Sequence, residues 1–284
     1  MKVKLINTLE SARNYVKEVE NGNTNFEESW NEYLIKPYWQ ELSQWAPFDC
    51  SFMKPTPIED VEKLKKQLDI FQEINFEYLE TEFTRISNTL LKQDDDTIVI
   101  AFHPLDDENL IVKDRQNGVV GSCVFGNIII NINSLAKDYE KWIPYVMAHE
   151  YHHSVWGHNW YVLRGDAKGN LLEYLINKGQ ADAFARSLYN SLEPKWLNTL
   201  TSEQENLLWK KYTLVLNSTD RSEHSKYMFG DKSIGLPWCI GYYFGYEIVK
   251  SYLNNNPEKS FNDLIDIDSD VIFTNSRFYK SEFF

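Results

Sequence analysis

Cysteine is scarce in this chain. The 284 residues hold three, Cys50, Cys123 and Cys239, far apart and with no CxxC pair. An odd, scattered set argues against a disulfide framework and fits reduced, structural thiols inside a cell. Basic charge is also in short supply: Lys plus Arg is 29 against 42 for Asp plus Glu, a net charge of -13. A field of that sign repels phosphate backbones and anionic lipid, so no nucleic-acid and no membrane partner is expected. No stretch approaches the roughly 18 apolar residues of a bilayer span. The opening Met1-Lys2-Val3-Lys4-Leu5-Ile6-Asn7 is too short and polar for a secretory leader. Internal repeats and Pro-, Gly- or Ser-rich linkers are absent as well. The expectation is a soluble, cytoplasmic protein forming one compact unit.

What is present is an ordinary globular composition, 43% hydrophobic, with aromatics at 15%. The first ninety residues read as helices. Phe26, Trp30, Tyr33, Leu34, Tyr38 and Leu42 recur at helical spacing, with Pro37 a kink. Thr56-Pro57-Ile58-Glu59 has the form of a capping box opening a helix through Val61, Leu64 and Leu68, and Ile70 to Leu91 continues the pattern. The acidic run Asp94-Asp95-Asp96 reads as a solvated turn. Beyond it, Thr97 to Phe102 is a short β-rich run, and Val119 to Ile132 is a second one broken at Gly126-Asn127, as in a hairpin. From about residue 136 the pattern is mainly helical again. The division predicted is a helical region over 1–95 and an α+β region over 96–284.

One segment carries chemistry. His149-Glu150-Tyr151-His152-His153 contains HExxH, which on a helix places both end histidines one turn apart on one face. Both imidazoles can then reach one metal ion, and Glu150 stands beside a metal-bound water as general base. With six histidines in the chain, the pattern arises by accident in roughly one such sequence in a hundred. The longer HExxHxxGxxH form is excluded, because Trp156 and Asn159 stand where it needs Gly and His. The alternative class draws its third ligand from a Glu on a following helix.

The blocks Ala148 to His153, Leu171-Leu172-Glu173, and Gly179-Gln180-Ala181-Asp182-Ala183-Phe184-Ala185 together resemble the YjaZ-type family of predicted zinc-dependent proteases. Pro237-Trp238-Cys239-Ile240-Gly241-Tyr242-Tyr243-Phe244-Gly245-Tyr246 is similar to that family's Trp-x-x-Gly-Tyr-x-x-Gly-Tyr helix. The resemblance covers roughly residues 97–280. It implies a gluzincin-like metallopeptidase fold, mainly helical with a small sheet, a zinc cofactor and a peptide or protein substrate. Some members are named as regulators. The family's usual third ligand is the Glu of Glu-Gly-x-Ala, and this chain has Lys178 there. An ammonium cannot coordinate zinc and repels it. By resemblance, Asp182 supports a ligand histidine from behind.

Three readings of the third ligand follow: Glu173, which lies 20 residues after His153; Asp182; or a degenerate site with weak metal or none. Glu173 is placed first. Against it, Glu173 and Lys178 are five positions apart, about 140° around a helix, so the helix would need to shift. Tyr242 and Tyr246, spaced i and i+4, are candidates for an oxyanion donor, with core packing the competing role. His224 is expected in a solvated loop, His152 behind the ligand face, and His158 toward solvent. The strand Gly126 to Ile132 is expected either to border the cleft, pairing with an extended substrate, or to lie buried in the sheet. The leading reading is a zinc peptidase; the alternative is a catalytically impaired relative that binds a peptide or protein partner, with a regulatory role.

Overall fold

The computed structural model describes residues 1–94, 96–106, 116–197 and 199–279. It is α+β and mainly helical, with one small four-stranded mixed sheet. The described residues divide into two units, Met1–Val155 and Trp156–Phe284.

The first unit is built on the sheet, in the order β1-β2-β4-β3. Strands β1 (Lys2–Asn7), β2 (Thr97–Pro104) and β4 (Asn127–Ile132) run parallel, and β3 (Val119–Val124) pairs antiparallel with β4. β1 corrects the expectation that the first ninety residues are helical. Its alternation of Lys with apolar residues suits an edge, where one row of side chains meets water. The hairpin expected over 119–132 is present, and its two-residue turn has positive φ at both Phe125 (51°) and Gly126 (110°). That is the backbone twist matching the strands on either side. Of the two expectations for the strand over 126–132, the second holds: β4 is flanked by β2 and β3 and lies inside the sheet.

One face of the sheet carries α1 (Leu9–Glu20), α2 (Phe26–Trp30), α3 (Lys36–Leu42) and α4 (Val61–Phe71). Tyr15, Trp30, Leu34, Tyr38, Leu42, Leu64 and Leu68 close over Val99, Ala101 and Ile129 in one buried cluster. The stripe read from the sequence is therefore the core-facing one. Pro37 sits at the second position of α3, just after a π-helical turn over Asn31–Ile35 that takes up the kink. The predicted start at Thr56-Pro57 is wrong. α4 starts at Val61 with Asp60 capping Lys63 N–H, because the buried Ile58 lends its carbonyl to the Tyr15 hydroxyl at 2.9 Å instead of to a helix. The helical run over Ile70–Leu91 is also broken, with Asn75 capping α5 (Phe76–Thr89). In the acidic run, Asp94 accepts from the Asp96 amide at 3.1 Å as in a turn, and Asp95 lies outside the described residues.

The other face carries α5 and α6 (Tyr139–Gly157). Phe76 of α5 meets Phe102 of β2 edge-on, and Phe83 meets Tyr151 of α6.

In the second unit, α7 (Leu171–Leu188) packs against α10 (Ile240–Asn255), and α8 (Ser202–Tyr212), α9 (Arg221–Phe229), α11 (Phe261–Asp266) and α12 (Ser269–Thr274) surround a single apolar cluster. α10 confirms the helix expected there. Among the described residues, no helix is long and apolar enough to cross a membrane.

Candidate metal centre

HExxH lies in α6, and one residue inside the motif and one just after it tie that helix down. The Tyr151 hydroxyl donates to Leu90 O at 3.0 Å, and Ser154 Oγ donates to Gly126 O in the hairpin turn at 2.7 Å. These two positions face the sheet and α5. His149, Glu150 and His153 are buried nonetheless, at 7%, 5% and 9% exposure. The Nε2 atoms of His149 and His153 stand 3.1 Å apart with the rings nearly perpendicular. Two nitrogens held at 2.0–2.1 Å on a tetrahedral zinc lie about 3.3 Å apart, so the pair converges as two ligands of one ion would. The histidines therefore fit half of a zinc site. Among the described residues, no group of three or more His, Cys, Asp or Glu side chains is gathered closely enough to hold a metal.

Glu150 lies over the edge strand. A Cβ added to Gly121 of β3 would fall 2.3 Å from Glu150 Cγ, 2.9 Å from its Cδ and 2.6 Å from Val146 Cγ1. Gly121 went unnoticed in the sequence, although a glycine inside a β-rich run is a recognised mark of close approach. His152 is fully buried, with its ring 6.0 Å from that of His153.

Glu173 sits in the first turn of α7 and is 4% exposed. Its Oε1 accepts from Lys168 N at 2.9 Å and its Oε2 from Gly169 N at 2.8 Å, while its own amide donates to the Asn170 side chain. Asn170 caps the helix, while the Glu173 carboxylate clamps the two loop amides that lead into it. As a metal ligand, it would have to release one amide or bind through a remaining lone pair.

Residues 76–274, well over half of the chain, match the family described as "Predicted Zn-dependent protease (DUF2268)". The chain belongs to this family. A similar protein in Bacillus subtilis (strain 168), "Uncharacterized protein YjfC", is 32% identical over 150 residues, 48% of this chain and 49% of that relative. The matched stretch thus spans about half the length of the relative. No solved structure matches.

The family match takes in α6, α7 and α10 together. On α7, Lys178 is half-buried, and Asp182 is fully buried one turn on, accepting from Trp196 Nε1 at 3.1 Å. On α10, Tyr242 is half-buried with its ring 5.9 Å from that of Phe229, and the Arg186 guanidinium lies 5.1 Å from the Tyr246 ring. Two expectations need correction. His224 is not in a solvated loop: it lies on α9, buried, with Nε2 2.8 Å from Ser218 O and its ring stacked on Tyr174. His158 is half-buried, in the π-helical turn His158–Arg164 that follows α6.

Proposed function

We propose that this protein is a zinc-dependent peptidase acting through HExxH. The observation that carries this reading is the 3.1 Å convergence of the two Nε2 atoms, with the buried Glu150 on the same helix. His149 and His153 hold the ion. Zinc bound there would polarise the scissile carbonyl and acidify a water. Glu150 accepts the water's proton and passes it to the leaving amine. The substrate is an extended peptide, which the outer edge of β3, paired with no strand among the described residues, suits by strand addition. Tyr242 is the proposed oxyanion donor, Glu173 the proposed third ligand by spacing, and Asp182 a buried support.

A second reading has its own support. No third donor is gathered among the described residues, the Glu173 carboxylate is bonded to two amides, and Lys178 stands where the family pattern has Glu. These features favour a catalytically impaired relative that binds a peptide or protein partner and serves a regulatory role.

Zinc stoichiometry and peptide hydrolysis, measured on the native protein and on Lys178→Glu, separate the two. One zinc per native chain with turnover supports the peptidase. Zinc and turnover gained only by the Glu variant support the impaired relative.

A further inference from the structure

The strand at one edge of the sheet, β3, lies against the proposed base. β3 runs beside β4 in the register Val120↔Asn131, Gly121↔Ile130, Ser122↔Ile129, closed by a two-residue turn. In an antiparallel ladder, bonded and non-bonded pairs alternate. The Val124–Asn127 pair closes the turn, and the Asn133 amide bonds Gly118 O at 2.7 Å. Even-numbered residues of β3 thus direct their amides and carbonyls to β4. Gly121 directs its amide and carbonyl to the other edge, where no strand pairs among the described residues.

Gly121 is also the point where α6 comes down on this strand. Its missing Cβ leaves the space in which Glu150 Cγ and Cδ rest, 2.3 Å and 2.9 Å from where that Cβ would be. The backbone available to a docking peptide and the carboxylate proposed as base therefore meet at one residue, with nothing but a glycine Cα between them.

We propose that Gly121 is a positioning residue: by carrying no side chain it lets Glu150 lie against the edge strand, and its outward amide and carbonyl fix the peptide bond presented to that carboxylate. The proposal rests on the peptidase reading and specifies how its substrate is registered. An alanine here pushes the Glu150 side chain off the strand. A displacement of about 1 Å is enough to cost on the order of 10²-fold in rate.

The test uses the full chain with zinc, a series of extended peptides, and the variants Gly121→Ala, Glu150→Ala and the double. In Gly121→Ala, kcat is expected to fall about 100-fold with KM changed far less and zinc content unchanged. A merely structural role lowers the folded fraction without that split. Thermal unfolding supplies the second arm. Gly121→Ala lowers the midpoint in the parent and lowers it less in the Glu150→Ala background, where the Cγ and Cδ it would strike are gone and only Val146 Cγ1, 2.6 Å from that Cβ, still resists it. The double variant, relieved of both Glu150 contacts, is expected to be the better folded of the two. An unchanged kcat, or the same midpoint loss in both backgrounds, overturns the proposal. A zinc-loaded parent without turnover overturns the peptidase reading, and with it the kinetic half of the inference, whatever the unfolding cycle reads.

Discussion

His149 and His153 face one another Nε2 to Nε2 at 3.1 Å, with ring planes at 84°. Two neutral imidazoles so placed need a proton or a cation between their lone pairs, and burial makes that need stronger. Zinc is expected to raise the unfolding midpoint of the protein, by about 2.7 kcal/mol of stability at a free concentration 100 times its Kd. His149→Ala or His153→Ala should remove that shift. Glu150→Gln should keep it and abolish any turnover, because Glu150 is placed as base and not as ligand. A calorimetric scan with and without zinc reads the first three results directly.

Glu173 separates two roles. As a clamp on the loop before α7, its loss leaves the amides of Lys168 and Gly169 without that acceptor. Glu173→Ala should then cost about 1–2 kcal/mol of stability. Glu173→Gln, which retains one acceptor oxygen, should cost less. If clamping that loop is its whole role, zinc titration of the Gln variant matches the native protein. A zinc affinity at least tenfold weaker would assign Glu173 to the metal.

Gly179 and Gly245 let α7 and α10 touch backbone to backbone. A Cβ on Gly179 would fall 2.1 Å from Gly245 C and O, and one on Gly245 would fall 2.1 Å from Leu175 O. In an unconstrained helix, Gly to Ala stabilises by about 0.5–1 kcal/mol. Here the sign should reverse, with a loss of about 3 kcal/mol for Gly179→Ala as the helices are forced apart. Urea unfolding measures it, and a raised midpoint would contradict the packing described.

His103 should give the stability an acid limb. It is fully buried against Trp30 and Tyr38, with Nδ1 2.8 Å from Pro104 O, and burial pulls its pKa down from 6.5 to about 4. Between those values the unfolded chain takes up a proton that the folded chain refuses, so stability falls as pH drops from 6.5 towards 4. Above 6.5 this residue contributes no slope. The full effect is about 3 kcal/mol, at roughly 1.4 kcal/mol per pH unit. In His103→Asn, urea midpoints measured from pH 7 to pH 4 should decline by correspondingly less.

The sequence by itself determined the local patterns. The HExxH spacing determined that His149 and His153 share a helix face, because i and i+4 are one turn apart whatever surrounds them. The Val119–Ile132 hairpin was legible for the same reason, as was the apolar stripe from Trp30 to Leu42. Other features were decided by residues distant in the chain. β1 became a strand because β2, some ninety residues on, pairs with it from Lys2↔Thr97 to Asn7↔Phe102. α4 started four residues after Pro57 because Tyr15 claimed the Ile58 carbonyl. Glu173 reads as a well-spaced ligand in the sequence, yet its oxygens are bonded to Lys168 and Gly169, since the loop entering α7 folds its two free amides onto the nearest carboxylate. Gly121 is one more small residue in a β-rich run until α6 lays Glu150 across it. Spacing along one helix is set by covalent geometry and needs no partner. Which strand forms the edge, which amide takes a carboxylate and which glycine must stay bare depend on contacts between segments, and these form only when the chain packs.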